Sequence, residues 1–188
     1  MTSLTMSLFE EDAMLKLCLE EGGVMTTCDI PLLFLDSDSL QSGLTFNFKS
    51  GREVGSVIFK SEVLREELLE VIDVLGASTV KIQLSKDDQR CFLSSQGIHG
   101  SCVLDIPKAS SALISFDCSV SCEWRYAINP ITLSLRPLAI ASESCLRVNA
   151  EGILCLQHQV SLAEGTQSSF IDFLLLPDVI LDHESQSD

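Results

Sequence analysis

VIFKSEVLREELLEVIDVLGASTVKIQLS, residues 57–85, holds one complete strand–helix–strand pattern. Val57–Phe59 and Thr79–Leu84 are β-branched or alternating, as strands are. Between them Leu64, Leu68, Val71, Ile72 and Leu75 recur at helical spacing, with Ser61 placed as an N-cap and Gly76 as the residue that ends the helix. Antiparallel strands follow the unit, not further helices.

Upstream, Ser3–Leu8, Ala13–Leu19 and Val24–Ile30 alternate and are joined by the tight turns Glu10-Glu11-Asp12 and Glu20-Glu21-Gly22-Gly23, which predicts a three-stranded antiparallel meander. No helix accompanies it, so one apolar face is left without a cover. Pro31–Gly43 changes character: Leu32–Leu35 is followed by a Ser/Asp run, the composition of a connector between elements. Leu44–Phe48 alternates and is expected to open the next sheet.

Downstream of Leu84, Lys86–Gln89 reads as a turn, and Cys91–Ser94, Ser101–Ile106 and Leu113–Cys118 as strands. Across Trp124–Ala141, Ile128, Ile131, Leu135 and Leu138 keep helical period while Pro130 and Pro137 interrupt it, so a short or broken helix is expected. Cys145–Val148 and Ile153–Val160 form a hairpin around Ala150-Glu151-Gly152. Phe170–Leu176 closes the sheet, and Pro177 begins an acidic tail. The pattern is strand–helix–three strands, twice over.

The balance of 12 Lys+Arg against 27 Asp+Glu gives a net charge of −15, which supplies no basic footprint for wrapping nucleic acid and favours protein partners. A hydrophobic fraction of 46% marks a chain that folds around a core. Met1–Phe9 is too short and too poor in basic residues for a signal peptide, and no apolar run has the length of a membrane span. The chain therefore reads as soluble and intracellular. Its eight cysteines, Cys18, Cys28, Cys91, Cys102, Cys118, Cys122, Cys145 and Cys155, sit mostly among apolar strand residues and read as free, buried thiols.

Chemistry-bearing patterns are sparse. His99, His158 and His183 have no partner at metal spacing, and Cys118-x-x-x-Cys122 has no second half. No nucleophile elbow stands out, and Gly97-Ile98-His99-Gly100 fits neither phosphate-loop pattern. These residues call for no catalytic group, cofactor or metal.

LEEGGVMTTCDI (19–30), FKSEVLREEL (59–68), TVKIQLSKDDQRCFLSSQGIHGSCVLDIPK (79–108), WRYAINPITLSL (124–135) and GILCLQHQV (152–160) together resemble the Rad-one subunit family of the checkpoint sliding clamp, the nine-one-one complex related to proliferating cell nuclear antigen. The resemblance covers nearly the whole chain but only the later part of the family's length. It implies an α+β sliding-clamp fold with antiparallel sheets and two helices per domain. Residues 1–30 would be the last strands of an incomplete first clamp domain, 31–43 the inter-domain connector, 44–178 a complete second clamp domain, and 179–188 the tail.

The function implied is that of a non-enzymatic, nuclear subunit of a DNA-encircling heterotrimer, a scaffold in checkpoint signalling and repair. Its partners would be the Rad-nine and Hus-one subunits, a clamp loader and double-stranded DNA threaded through the ring. Edge pairing would use Val24, Thr26 and Cys28 on one side and Ser101, Val103 and Asp105 on the other. Leu33, Phe34 and Leu35 could face Pro177 and Val179 around a peptide-docking pocket. The outward residues of the central helix, Glu62, Arg65, Glu66, Glu67, Glu70 and Asp73, hold one cation among five acids. Lys60, Arg65, Arg125 and Arg136 are the candidate phosphate neighbours. Two other readings compete. One is a metal-dependent 3'-5' DNA exonuclease using Asp87, Asp88, Asp105, Asp117 and Asp172; the other is a generic β-rich interaction module.

Overall fold

A computed structural model describes residues 2–32, 43–161 and 168–178 of the chain. They divide into two compact units, Met1–Gly43 and Leu44–Asp188.

The first unit is a meander of β1 (Thr2–Phe9), β2 (Met14–Glu21) and β3 (Val24–Pro31), each antiparallel to the next. Gly22 and Gly23, at φ 59° and 82°, form the two-residue turn between β2 and β3, where both positions need a positive φ. Register places Leu4, Leu19 and Thr26 in one cross-strand row, Met6, Leu17 and Cys28 in the next, and Leu8, Leu15 and Ile30 in a third. Because side chains alternate, these nine share one face, and Lys16, Cys18, Thr27 and Asp29 belong to the other.

The second unit runs α1 (Leu44–Ser50), β4 (Glu53–Lys60), α2 (Ser61–Ile72), β5 (Thr79–Ser85), β6 (Arg90–Gln96), β7 (Ser101–Pro107), β8 (Leu113–Cys118), β9 (Cys122–Ala127), α3 (Ile128–Ser134), a 3-10 turn (Arg136–Ala139), β10 (Ala141–Asn149), β11 (Leu154–Ser161) and β12 (Ser168–Leu175). Two antiparallel sheets result, ordered β12-β11-β10-β4-β8 and β7-β6-β5-β9. The duplication is strand-exchanged. β4, which leads the first half, pairs with β10 of the second, and β9, which leads the second, pairs with β5 of the first. Mostly antiparallel sheet with three α-helices is a framework compatible with a clamp.

One core joins both sheets and the helices. It includes Val57 and Phe59 of β4, Leu64, Leu68 and Val71 of α2, Val80, Ile82 and Leu84 of β5, Tyr126 of β9, Ile131 of α3 and Leu146 of β10. At Gly55 the sheets pack tightly, and a Cβ there would collide with the Leu84 side chain. A second small cluster, Phe48 with Ile153 and Cys155, seats α1 on the β11–β12 surface.

Several sequence expectations need correction. Leu44–Phe48 is helical: Leu44 and Phe48, four apart, share the face that meets Ile153, Cys155 and Leu174, so a third α-helix joins the two expected. Residues 122–127 form strand β9, so the helical stretch begins only at Ile128 and is broken, at Pro137, into α3 and the 3-10 turn. Ser61 is the first helical residue and not the cap. The cap position is Lys60, with no side-chain cap bond, while Ser61 Oγ lies 2.7 Å from Ser144 Oγ. α2 ends at Ile72, Leu75 is exposed, and Gly76 (φ 80°) sits in the turn beyond. Of the eight free cysteines, all on strands, only Cys91 and Cys155 are buried, and Cys28 is exposed.

Candidate assembly edges and docking cavity

β3 is an edge of the three-stranded sheet, and β7 is an edge of the four-stranded one. Val24, Thr26 and Cys28 stand side by side on the apolar face of β3, all exposed. Ser101, Val103 and Asp105 share the exposed face of β7, while Ile106 is buried. Asp105 accepts from Arg90 of β6 at 2.5 Å, a half-exposed pair that contributes at most about 1 kcal/mol but orients a charge at the strand's rim.

Pro177 helps line a cavity of about 460 Å³ in the second unit, together with Asn47 and Ser50 of α1, Glu151, Ile153 and Leu176. Its lining mixes the apolar Ile153, Leu176 and Pro177 with the polar Asn47, Ser50 and Glu151, which suits a segment with an apolar anchor. The other expected docking residues, Leu33, Phe34, Leu35 and Val179, lie outside the described residues. Asn47 and Ser50 join this lining because Leu44–Ser50 is helical, where the sequence reads as a strand. The signal available was the Leu44/Phe48 spacing, with Lys49 in the last turn.

Three of the four candidate cations belong to one helical layer. Lys60 precedes α2, Arg65 lies on its exposed face, and Arg136 opens the 3-10 turn that packs against α2. Arg65 shares a polar groove of about 500 Å³ with Glu62, Glu66, Leu138, Ala139 and Ala141. The acids crowd: partial burial first, then Glu70 and Glu66, push the Glu67 carboxyl above its ordinary range. Arg125 is not part of this layer. It points outward from β9, in register with Lys81, whose ammonium pairs with Glu123 at 3.2 Å.

The five candidate nuclease carboxylates do not converge on one metal-binding group. Asp87 and Asp88 occupy the β5–β6 turn, Asp105 pairs with Arg90, Asp117 is on β8, and Asp172 on β12 accepts from Gln157 at 2.9 Å. Among the described residues no three His, Cys, Asp or Glu side chains are placed to hold a metal ion together. Ser144 and His158 are hydrogen-bonded at 2.7 Å, but both are sealed in the core, where no substrate reaches them. Burial, with Cys122 and Cys118 nearby, pushes the Cys91 thiol up to about 12, and Cys122 rises to about 11. Such thiols stay protonated and unreactive at neutral pH.

A family model described as repair protein Rad1/Rec1/Rad17 matches residues 1–160. The chain is 32% identical over 164 residues to the cell cycle checkpoint protein RAD1 of Homo sapiens, an alignment covering 87% of this chain and 55% of that protein. The corresponding Mus musculus protein matches at the same identity, with 56% of it covered. The DNA damage checkpoint control protein rad1 of Schizosaccharomyces pombe is 24% identical over 158 residues, covering 84% of this chain and 47% of that one. The chain spans about half the length of the curated relatives it matches. With the family model covering most of its residues, the chain belongs to the Rad1/Rec1/Rad17 family of repair proteins.

Proposed function

We propose that this chain is a non-catalytic subunit of a heterotrimeric checkpoint clamp that encircles double-stranded DNA in the nucleus and scaffolds damage signalling and repair proteins. The observation that supports the reading is that β3 and β7, the strands the family resemblance assigns to pairing, each end a sheet and are not equivalent to one another. Head-to-tail pairing of two different edges is the arrangement that closes a ring of subunits, and main-chain ladders supply the contact. The names of the relatives, all checkpoint proteins, support the same role. Loose phosphate contact would come from Lys60, Arg65 and Arg136, with retention on DNA owed to ring closure and not to charge. Partner segments would dock at the cavity beside Pro177.

The test is co-expression with the Rad-nine and Hus-one subunits. A stoichiometric ternary complex is expected. Val103→Pro should remove one N–H from the edge strand and weaken that complex at least tenfold, with the melting temperature of the free chain nearly unchanged. Failure to recover either partner with the unsubstituted chain would sink the reading.

A further inference from the structure

Trp124, the one tryptophan of the chain, lies with its ring face against the β10–β11 turn. A Cβ at Gly152 would fall within 2.7 Å of three indole ring atoms, so the turn comes this close only with glycine there, and φ 81° at that position favours glycine as well. The Tyr126 hydroxyl donates to the Gly152 carbonyl at 2.9 Å and holds the turn in place. With Val54 of β4, Val120 of the β8–β9 link and Ala150 of the turn, the fixed indole lines a cavity of about 350 Å³. That volume lies at the small end of the range for ligand sites. Two charged residues also line it, Arg52 and Glu123. The Glu123 carboxylate is committed to Lys81 at 3.2 Å, whereas Arg52 is exposed and enters no ion pair among the described residues.

We propose that this cavity binds an acidic peptide segment of a partner protein: an aromatic side chain enters against Trp124, and a carboxylate beside it pairs with Arg52. The indole offers an entering ring an offset or edge contact, and Val54 and Val120 offer aliphatic ones. Val120 is 45% exposed, so an entering group would cover apolar surface. Charge selects the acid. With Glu123 neutralised by Lys81, the uncompensated charge at the cavity is positive, and a planar guanidinium takes a carboxylate with two parallel N–H donors. A basic segment would be repelled by Arg52. Because Gly152 and Tyr126 hold the indole and the turn before anything binds, little ordering cost falls on this side of the contact. The cavity shares no lining residue with the one beside Pro177, so the proposal stands apart from that docking site and from ring formation.

A single tryptophan makes the test direct, since the emission of the chain reports on this cavity. The probe is the blocked peptide acetyl-Glu-Asp-Phe-Asp-Glu-amide, titrated into the intact chain. A saturable shift of the emission to shorter wavelength is expected as the phenyl ring displaces water from the indole. The Gln-Asn-Phe-Asn-Gln counterpart loses the charge-assisted pair, and the Glu-Asp-Ser-Asp-Glu counterpart loses the anchor. Each should bind about tenfold more weakly or worse. Arg52→Glu should weaken binding of the acidic peptide by about tenfold or more, and Arg52→Lys should keep most of it. Arg52 is exposed, so neither exchange should move the melting temperature, which guards against a variant that merely misfolds. An equal shift with all three peptides, or one that survives Arg52→Glu, would overturn the proposal. No shift at any peptide concentration would overturn it too, and an emission already that of a water-free indole would then give the cavity to another segment of the same protein.

Discussion

His158 has no exposed surface, yet it is a titratable group. Nδ1 lies 2.7 Å from Ser144 Oγ, which is itself 2.7 Å from Ser61 Oγ, so the ring is tied through two hydroxyls to the start of α2. The ring packs at a tilt 5.8 Å from Phe173. Burial pushes the imidazole below its ordinary value, against weaker opposing pulls from the Ser134 carbonyl and Asp172. The folded ring therefore resists a proton that the unfolded chain accepts near pH 6.5. Stability should be full above that value, fall as pH drops through it towards the folded value, and level off below. The slope from this group is at most about 1.4 kcal/mol per pH unit. Urea unfolding of the natural chain and of His158→Gln from pH 5 to 7.5 checks this: the difference between the two curves should carry the slope, and a flat difference would refute it.

α2 shows how far elements were legible. Leu64, Leu68 and Val71 are buried as their spacing requires, whereas Leu75 is 69% exposed. Leu68→Ala should cost about 2–5 kcal/mol, and Leu75→Ala should stay within about 0.5 kcal/mol of neutral, both read by urea denaturation. Periodicity locates such a helix but not its end. The Asp73 N–H still bonds to Leu69, after which the chain leaves the helical path into a turn closed from Ala77 to Val74. α1 was illegible for a different reason. Leu-Thr-Phe-Asn-Phe alternates like a strand, and what selects the helix is Phe48 against Ile153 and Cys155, residues more than a hundred positions away. The cavity beside Pro177 was hidden with it, since α1 forms one wall. β9 carries a period-2 signal in Cys122, Trp124 and Tyr126, which the helical period beginning at Ile128 masks because the two run on without a break. By contrast, the three strands of the first unit could be read directly, because tight turns and alternation are local properties, whereas the choice of β3 and β7 as pairing edges came only with the family resemblance.

At the scale of the whole molecule, the two units differ in how much they bury. Among the described residues, every large side chain shielded completely from solvent lies in the second unit, whereas β1 and β3 are exposed almost throughout. Native-state hydrogen exchange should therefore show fast exchange in β1–β3 and firm protection in β4, β5, β10 and β11. Uniformly slow exchange would contradict it. The exchange of leading strands between halves has a further consequence during synthesis. Ser56 of β4 meets Cys145 of β10 across 89 residues of chain. At about 5–20 residues per second, a ribosome leaves β4 waiting roughly 5–20 s for that neighbour. For this interval Val57 and Phe59 have α2 and β5 but only part of their sheet, and an unpaired flank of β4 is open to any passing strand. The nascent chain should thus depend on chaperones until β10 emerges, and a stalled or slowed codon between β8 and β10 should lower the yield of folded protein more than one placed after β12.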